Sequence, residues 1–265
     1  MVTAAYVASI LIGVSLGLIG GGGSMLTVPV LVYLFGLDAV SATAYSLFIV
    51  GTTSAVGSVS YFRRKLVDMK TAMLFGMPAV AAVFLTRTYI LPGIPQEIFR
   101  YRSYFLTKDT LLLLLFAFLL IAAAYSMLKK EARPSEITVA RSHVGWYRLL
   151  LQGFLIGTIT GLIGAGGGFL LIPALVRLVK LPIKVAVGSS LVVIATNSLL
   201  GFLFSVPHLL VDWPFLLKVA AAAMVGIPIG TYLSTRLKSD RLKPAFGWMV
   251  LLVGVYILIH EIVCH

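Results

Sequence analysis

Apolar stretches long enough to cross a lipid bilayer recur along almost the whole of this 265-residue chain. A hydrocarbon core about 30 Å thick requires about 20 apolar residues in a helix. The predicted apolar segments are 4–19, 24–35, 39–61, 71–91, 109–128, 148–163, 168–179, 184–206, 213–235 and 243–262. Only 11% of the residues are charged, whereas ordinary soluble domains contain about a quarter. The sequence therefore predicts an all-α polytopic membrane protein.

The two halves of the chain repeat each other at an offset of 144 residues. The motif Gly13-x3-Gly17-Leu-Ile-Gly-x-Gly-Gly recurs as Gly157-x3-Gly161-Leu-Ile-Gly-x-Gly-Gly, and 12 of the 22 positions from 13 to 34 are identical in the second copy. A polar, charged segment separates the copies. We therefore predict a first membrane repeat at residues 1–128, a cytoplasmic linker at 129–147 and a second membrane repeat at 148–265.

The distribution of Lys and Arg indicates how the glycine-interrupted segment of each half enters the membrane. If both segments are re-entrant hairpins, 16 of the 21 basic residues lie in cytoplasmic loops and 4 lie outside; if both are full crossings, 9 lie inside and 11 outside. Because basic residues accumulate in cytoplasmic loops, the hairpin interpretation is favoured. Each half then consists of a glycine-broken re-entrant helical hairpin plus three transmembrane helices, and the two repeats are inverted.

Inverted repeats with discontinuous helices are typical of secondary transporters, which bind their substrate near the middle of the membrane. Arg87, Arg100 and Arg102 are the residues that this topology does not explain. They fall on its outer side, where a basic funnel facing the exterior is one interpretation and chance is the other.

Glycine runs interrupt the helix at matched positions of the two repeats, Gly20–Gly23 and Gly164–Gly168 except for Ala165. Glycine permits left-handed backbone and close approach of a ligand to the main chain. The helix that follows each run begins with unpaired N–H groups that favour an anion. The candidate substrate-binding residues at these turns are Gly22, Gly23, Ser24, Gly166, Gly167 and Gly168. Close helix packing is the alternative role, and it is the one expected for Gly13, Gly17, Gly157 and Gly161.

Small polar residues follow each turn inside an apolar segment. Their hydroxyl and amide groups could bind an oxyanion without placing a full charge in the membrane; the alternative is hydrogen bonding within or between helices. The candidates of this group are Ser46, Thr52, Ser190, Thr196 and Asn197. All nine carboxylates fall at the ends of apolar segments or in loops. We find no enzyme signature, and we predict no catalytic residues, cofactor or metal.

The doubled Gly-x3-Gly-Leu-Ile-Gly-x-Gly-Gly…Pro-x-Leu pattern and the charged mid-chain segment resemble the TauE/SafE sulfite-exporter-like permeases. The resemblance covers essentially the whole chain and is most specific at 13–34 and 157–178. It implies a multi-pass carrier of the inner cell membrane for small sulfur-containing anions such as sulfite or organosulfonates. Of the residues above, the resemblance extends to the two glycine-rich turns with Ser24 and Gly168.

The leading hypothesis is a secondary transporter, an exporter, of a small sulfur-containing oxyanion that works by alternating access around a site in the middle of the membrane. An anion channel and a non-transporting membrane subunit or assembly factor are the alternatives. The expected partners are a small anionic substrate and the lipid bilayer, not nucleic acid. Assembly into a homo-oligomer is left open by the sequence.

Overall fold

The structure, a computed structural model, describes residues 2–101, 104–128, 146–236 and 239–264. In the first half of the chain the helical elements are α1 (Val2–Ile19), a 3₁₀ helix (Gly20–Leu26), α2 (Thr27–Pro29), a π-helical turn (Val30–Leu34), α3 (Ala39–Arg63), α4 (Met69–Leu85), a second π-helical turn (Thr86–Ile90), α5 (Leu91–Gly93) and α6 (Lys108–Leu128). Strands β1 (Glu97–Tyr101) and β2 (Tyr104–Thr107) lie between α5 and α6.

The described residues of the second half form five α-helices and one short 3₁₀ helix. They are α7 (Trp146–Ile163), α8 (Gly168–Leu178), α9 (Ile183–Ser205), a short 3₁₀ helix (Val206–His208), α10 (Trp213–Arg236) and α11 (Ser239–Cys264). The predicted linker at 129–147 falls, except for its last two residues, outside the residues that the structure describes.

Six helical stretches in the described part of the chain are long and apolar enough to cross a membrane. They are Ala39–Arg63, Met69–Gly93, Lys108–Leu128, Ile183–His208, Trp213–Gly230 and Pro244–Val263. Three shorter apolar stretches, Val7–Leu18, Gly23–Leu34 and Tyr147–Ile163, do not reach that length. The prediction of an α-helical polytopic membrane protein is confirmed.

The β1–β2 hairpin is the element that the all-α prediction missed. The two strands pair antiparallel, with Arg100 opposite Phe105 and Tyr101 opposite Tyr104. Aromatic residues favour strands, but this segment follows an apolar run and contains basic residues, so the sequence indicates only a loop there. The hairpin connects α5 to α6 at one end of the helix bundle.

Helices at corresponding positions of the two halves pack antiparallel. In the α3–α9 pair, Gly51 lies against Leu199 and Gly57 against Leu191. Residue numbers therefore decrease along α9 as they increase along α3. In the α6–α11 pair the same direction holds, since Gly247 lies against Leu128 and Gly254 against Leu120. The α3–α9 pair lies at the centre of the described fold, since about half of the residues of each helix are buried.

The remaining long helices pair across the two halves, α1 with α10 and α4 with α7. A Cβ on Gly13 would collide with the carbonyl of Ala223, and a Cβ on Gly157 would collide with the carbonyl of Ala79. The two contacts are related by the same offset of 144 residues that relates the repeated motifs. Close backbone contact of this kind is what small residues permit between membrane helices, and the predicted packing role of these glycines is confirmed.

Acidic residues begin two of the long helices. Asp38 accepts a hydrogen bond from the Ser41 N–H at 2.9 Å at the start of α3, and Asp68 accepts from the Thr71 N–H at 3.3 Å at the start of α4. A carboxylate at this position satisfies an N–H group that has no partner within the helix and complements the helix dipole. Both carboxylates are therefore engaged by the ends of their own helices.

Candidate functional site

The two glycine-rich turns are in direct contact. The Ser24 hydroxyl donates a hydrogen bond to the carbonyl of Ala165 at 2.5 Å, across 141 residues of sequence, and both residues are buried. Because a buried carbonyl needs a hydrogen-bond partner, this bond ties the turns together in a water-poor environment. The structure thus brings Gly23 and Ser24 of the first turn to the neighbourhood of Gly166 and Gly167 of the second.

The second turn depends on glycine for both its conformation and its packing. Gly164, Gly166 and Gly167 have φ of +75°, +66° and +67°, a region that side chains of L-residues disfavour. A Cβ would in addition meet the Thr43 carbonyl at Gly164 and the Thr160 hydroxyl at Gly167. The turn is therefore pressed between α3 and α7, with its backbone unshielded by side chains of its own.

Helix α8 begins directly after this turn, at Gly168. Its N-cap residue, Gly167, provides no side chain to cap the helix, and the Gly167 carbonyl accepts from the N–H groups of Leu170 and Leu171. The first N–H groups of a helix have no partner within it and carry the positive end of the helix dipole. The start of α8 is thus the uncapped helix N-terminus that was predicted near Gly168.

The first turn differs from the second, and this corrects the prediction of two equivalent helix N-termini. Residues Gly20–Leu26 form a 3₁₀ helix that leads into α2, and the residue before α2, Leu26, is itself helical. In a 3₁₀ helix each N–H group donates to the carbonyl three residues earlier. The N–H groups near Ser24, which were expected to be unpaired, therefore have partners within the helix. Gly23 instead packs on the backbone of Ser15 and Leu16, and the Ser15 hydroxyl bonds to the Gly23 carbonyl at 3.3 Å.

Two of the predicted polar residues are buried with an oxygen that has no hydrogen-bond partner among the described residues. They are Ser46, through its hydroxyl, and Asn197, through its amide oxygen. Buried polar atoms are nearly always paired, so each such oxygen is available to a ligand or water. Ser46 and Asn197 lie on α3 and α9, the two central helices.

The hydroxyls of the other three predicted polar residues bond to their own helices. Ser190 bonds to the Val187 carbonyl, Thr52 to the carbonyls of Phe48 and Ile49, and Thr196 to that of Val192. Ser190 is buried and Thr52 half-buried, whereas Thr196 is exposed. The structure therefore does not bring Thr196 into the interior with the turns, because its position on α9 faces outward.

Two buried hydroxyls beside the second turn were not among the predicted site residues. In the described part of the chain the Ser198 hydroxyl has no hydrogen-bond partner, and its oxygen lies 3.2 Å from where a Cβ of Gly166 would be. The Thr160 hydroxyl, which adjoins Gly167, has no partner there either. Ser198 is among the small polar residues that follow the second turn in the sequence, and it corresponds to Ser54 of the first repeat, whose buried hydroxyl also has no partner among the described residues.

A cavity of about 430 Å³ lies at the end of the bundle that carries the β-hairpin. Its lining residues are Asp38, Val40, Arg87, Leu91, Pro92, Gln96, Lys108, Asp109, Ser205, His208 and Leu209. A second cavity of about 630 Å³ shares Asp38, Gln96 and Asp109 with the first and extends toward Tyr33, His260 and Glu261. Both cavities thus gather ionisable side chains at the same end of the protein.

Arg87 occupies a position that the sequence did not predict. The count of basic residues placed it in an outer loop, but it lies in the π-helical turn that follows α4 and is only 1% exposed. Charge counting identifies a basic residue near the end of a hydrophobic segment and cannot tell whether its side chain points toward solvent or inward. Of the other two unexplained arginines, the side chain of Arg100 and the whole of Arg102 lie outside the described residues.

The described residues contain no group of three or more His, Cys, Asp and Glu side chains placed to hold a metal ion. Ionisable side chains contact one another in the second cavity. There the Tyr33 hydroxyl donates to Glu261 at 3.1 Å, and the Nδ1 atom of His260 lies 3.6 Å from the same carboxylate oxygen. Glu261 is 5% exposed, so it is more buried than the predicted location at a helix end suggests.

A family model described as sulfite exporter TauE/SafE matches residues 5–257 of this chain. A probable membrane transporter protein of Xylella fastidiosa (strain 9a5c) is 29% identical over 255 residues, which cover 94% of this chain and 91% of that protein. The probable membrane transporter protein YunE of Bacillus subtilis (strain 168) is 24% identical, covering 91% of each chain. A probable membrane transporter protein of Methanocaldococcus jannaschii is 23% identical over 94% of this chain and 92% of its own length. No solved structure is a significant match.

Proposed function

Because this chain belongs to the sulfite exporter TauE/SafE family, we propose that it is a secondary transporter of a small sulfur-containing oxyanion, such as sulfite or an organosulfonate, in the inner cell membrane. We propose export as the direction of transport. The relatives that cover nearly the whole chain are named as probable membrane transporters, which supports the class of function. The observation that carries the proposal is the hydrogen bond from Ser24 to Ala165, because it joins the two glycine turns.

The architecture that we propose for this transporter is a pair of inverted repeats, residues 1–128 and 148–265. The antiparallel packing of α3 on α9 supports it, because equivalent helices related by a two-fold axis in the membrane plane run in opposite directions. The matched contacts of Gly13 with Ala223 and of Gly157 with Ala79 support the same two-fold relation. In this arrangement each broken segment is a re-entrant hairpin, and the two hairpins enter from opposite faces of the membrane.

The substrate site that we propose lies where the glycine turns meet. The uncapped start of α8 would face the anion with the N–H groups of Gly168 and Phe169, because those of Leu170 and Leu171 bond to the Gly167 carbonyl. Ser46, Asn197 and Ser198, whose buried oxygens have no partner in the part of the chain that the structure describes, would complete the coordination. Gly22, Gly23, Gly166 and Gly167 would let the substrate approach the main chain. Thr52 and Ser190 would support the site from half-buried and buried positions, and the exposed Thr196 has no part in it.

Alternating access would follow from the way the helices pair across the repeats. α1 with α10 and α4 with α7 are held by close glycine contacts, so each pair is expected to move as a unit. The α3–α9 pair would form the axis against which these units rock. Rocking of packed bodies around a fixed central site is the usual way in which inverted-repeat carriers expose substrate to either side.

Transport assays with purified protein in proteoliposomes test the proposal. Vesicles loaded with sulfite, sulfate, thiosulfate, methanesulfonate or acetate should show saturable flux, with the sulfur anions preferred, and accelerated exchange when the same anion is present on both sides. Currents without counterflow would instead indicate an anion channel. Absence of flux for every anion, in protein that is folded and monodisperse, would favour a non-transporting subunit and would overturn the proposal.

Ser24→Ala tests the observation that carries the proposal. The matched control is Thr158→Ala, because the Thr158 hydroxyl bonds only to a carbonyl of its own helix, Phe154, at 3.0 Å. We expect transport to fall in the Ser24 variant and to remain unchanged in the Thr158 variant. Equal transport by both variants would count against a site between the turns.

A further inference from the structure

We propose that the guanidinium group of Arg87, in the wall of the 430 Å³ cavity, is a binding site for a small oxyanion. This inference rests on the proposed function and makes it specific, since it names the cationic group that would take the anion. Arg87 is 1% exposed and lines the cavity. It is not part of the glycine turns or of the hydroxyl groups considered so far.

The hydrogen bonds of Arg87 leave one edge of the guanidinium unoccupied. Nη1 donates to the Thr43 hydroxyl at 3.2 Å, whereas Nε and Nη2 have no partner in the described part of the chain. Nε and Nη2 form the edge of arginine that binds two oxygens of one carboxylate, sulfonate or phosphate group at the same time. A buried charge without a partner is costly, so an anion on this edge would remove that cost.

The two carboxylates that line the same cavity do not bond to Arg87. Asp38 accepts from the Ser41 N–H at the start of α3. Asp109 faces the backbone N–H groups of Ala39 and Val40 at the same helix start, while its Oδ1 atom has no hydrogen-bond partner among the described residues. No carboxylate of the described residues bonds to Arg87. Lys108, which is 5% exposed, adds a second positive charge to the cavity wall. The cavity therefore offers Arg87 and Lys108 to an anion, and of its two carboxylates only Asp109 leaves a buried oxygen unpaired among the described residues.

Arg87 also lies beside the second glycine turn. Thr43, which receives the Nη1 hydrogen bond, packs its backbone against Gly164, and Thr86, the neighbour of Arg87 in the chain, packs against Gly161. The π-helical turn of residues Thr86–Ile90 orients this part of the helix, and such turns are frequent at functional sites. An anion held by Arg87 would thus lie between the cavity and the turn at which α8 begins.

Binding to the purified full-length protein, measured by isothermal titration with sulfite and with methanesulfonate, tests this site. Arg87→Gln should weaken binding about 10- to 100-fold, because a charge-assisted, two-point contact is lost. Arg87→Lys should recover part of the affinity, because it retains the charge but not the two-point edge. The matched control is Arg148→Gln, which removes the same charge from an exposed residue that stacks over Tyr147.

Thermal unfolding without added anion separates loss of binding from loss of folding. Because the guanidinium edge is unpaired in the absence of a ligand, Arg87→Gln should unfold at the same temperature as the wild-type protein or higher, and sulfite should no longer raise that temperature. If Arg87→Gln does not fold, Thr43→Val, which removes the Nη1 acceptor, should weaken binding several-fold. Equal affinity in the wild-type protein and in whichever of these variants folds would overturn the inference.

The two proposals fail in different ways. Transport by the wild-type protein with unchanged binding and transport in Arg87→Gln would overturn the Arg87 site and leave the proposed function standing. Arg87-dependent binding by a protein that moves none of the anions across vesicles would overturn the transport function and leave the site standing. Binding lost equally in Arg87→Gln and Arg148→Gln would indicate general charge attraction and would also overturn the site.

Discussion

Gly157 on α7 lies against the backbone carbonyl of Ala79 on α4 so closely that no Cβ fits between them. Gly13 on α1 makes the equivalent contact with Ala223 on α10. Helix α7 belongs to one half of the chain and α4 to the other, and the same is true of α1 and α10. The glycines of the repeated motif therefore allow helices of each half to pack closely on helices of the other half.

The first prediction concerns these close helix contacts between the two halves. Gly157→Val should lower the free energy of unfolding by about 1–3 kcal/mol, because the added side chain forces the two backbones apart. Gly93→Ala is the control, since a Cβ at Gly93 meets nothing within 4 Å. Thermal unfolding in detergent gives the comparison. A Gly157→Val protein as stable as Gly93→Ala would contradict the observed helix contact.

The second prediction concerns the left-handed backbone of the second turn. Gly167→Ala should cost about 1–3 kcal/mol for the strained φ of +67°, plus the cost of the collision with the Thr160 hydroxyl. The double variant Gly167→Ala, Thr160→Ala removes the collision and retains the strain, so it should regain only part of the lost stability. Full recovery in the double variant would show that the backbone conformation is not strained.

The third prediction concerns the bond between the two turns. Ser24→Ala leaves the Ala165 carbonyl without this donor, which should lower stability by about 1–3 kcal/mol. Thr158→Ala should change stability by less than about 0.5 kcal/mol, because its hydroxyl only duplicates a bond within α7. The two variants are compared by thermal unfolding and by transport. A loss of equal size in both would indicate that the inter-turn bond is absent in the membrane.

The fourth prediction tests the proposed membrane orientation with single cysteines. The chain has one cysteine, Cys264, and replacing it with serine gives a background without thiols. Leu210→Cys, at a fully exposed position between α9 and α10, should react with an impermeant thiol reagent from outside the cell. Arg64→Cys, at the end of α3, should react only after the membrane is opened. Labelling of both positions from the same side would rule out the inverted arrangement.

The sequence predicted the helices well because their boundaries follow from hydrophobicity alone. The segment predicted at 39–61 is α3 (Ala39–Arg63), and that predicted at 109–128 is α6 (Lys108–Leu128). The lipid solvent requires about 20 apolar residues for each crossing, which makes such segments conspicuous. The short β1–β2 hairpin carries no comparable pattern and was missed.

The candidate site was only partly predictable. Repetition of the glycine runs indicated that the turns matter, and the Ser24–Ala165 contact brings them together. Repetition also suggested that the turns are alike, yet Gly20–Gly23 continue as a 3₁₀ helix while Gly166 and Gly167 adopt positive φ. Consecutive glycines permit either conformation, so the choice depends on neighbours such as Ser15 and Thr160 that only the folded structure supplies.

The burial of Arg87 could not be read from the sequence for a different reason. Residue type and position determine the expected side of the membrane, but the direction of one side chain depends on the π-helical turn at Thr86–Ile90. That turn shifts the face on which the following residues lie relative to a regular α-helix. Local backbone geometry of this kind has no signature in the hydrophobic pattern.

The pairing of α1 with α10 and of α4 with α7 has a consequence for biogenesis. When the ribosome has released only the first half of the protein, α1 and α4 have emerged but neither partner has yet been synthesised. The faces of α1 and α4 that carry Gly13 and Ala79 remain open to lipid until α10 and α7 have been synthesised. Helix packing is therefore completed only after translation of the second half. Either half expressed alone would be inserted in the membrane without the partner helices of its α1 and α4 or α7 and α10.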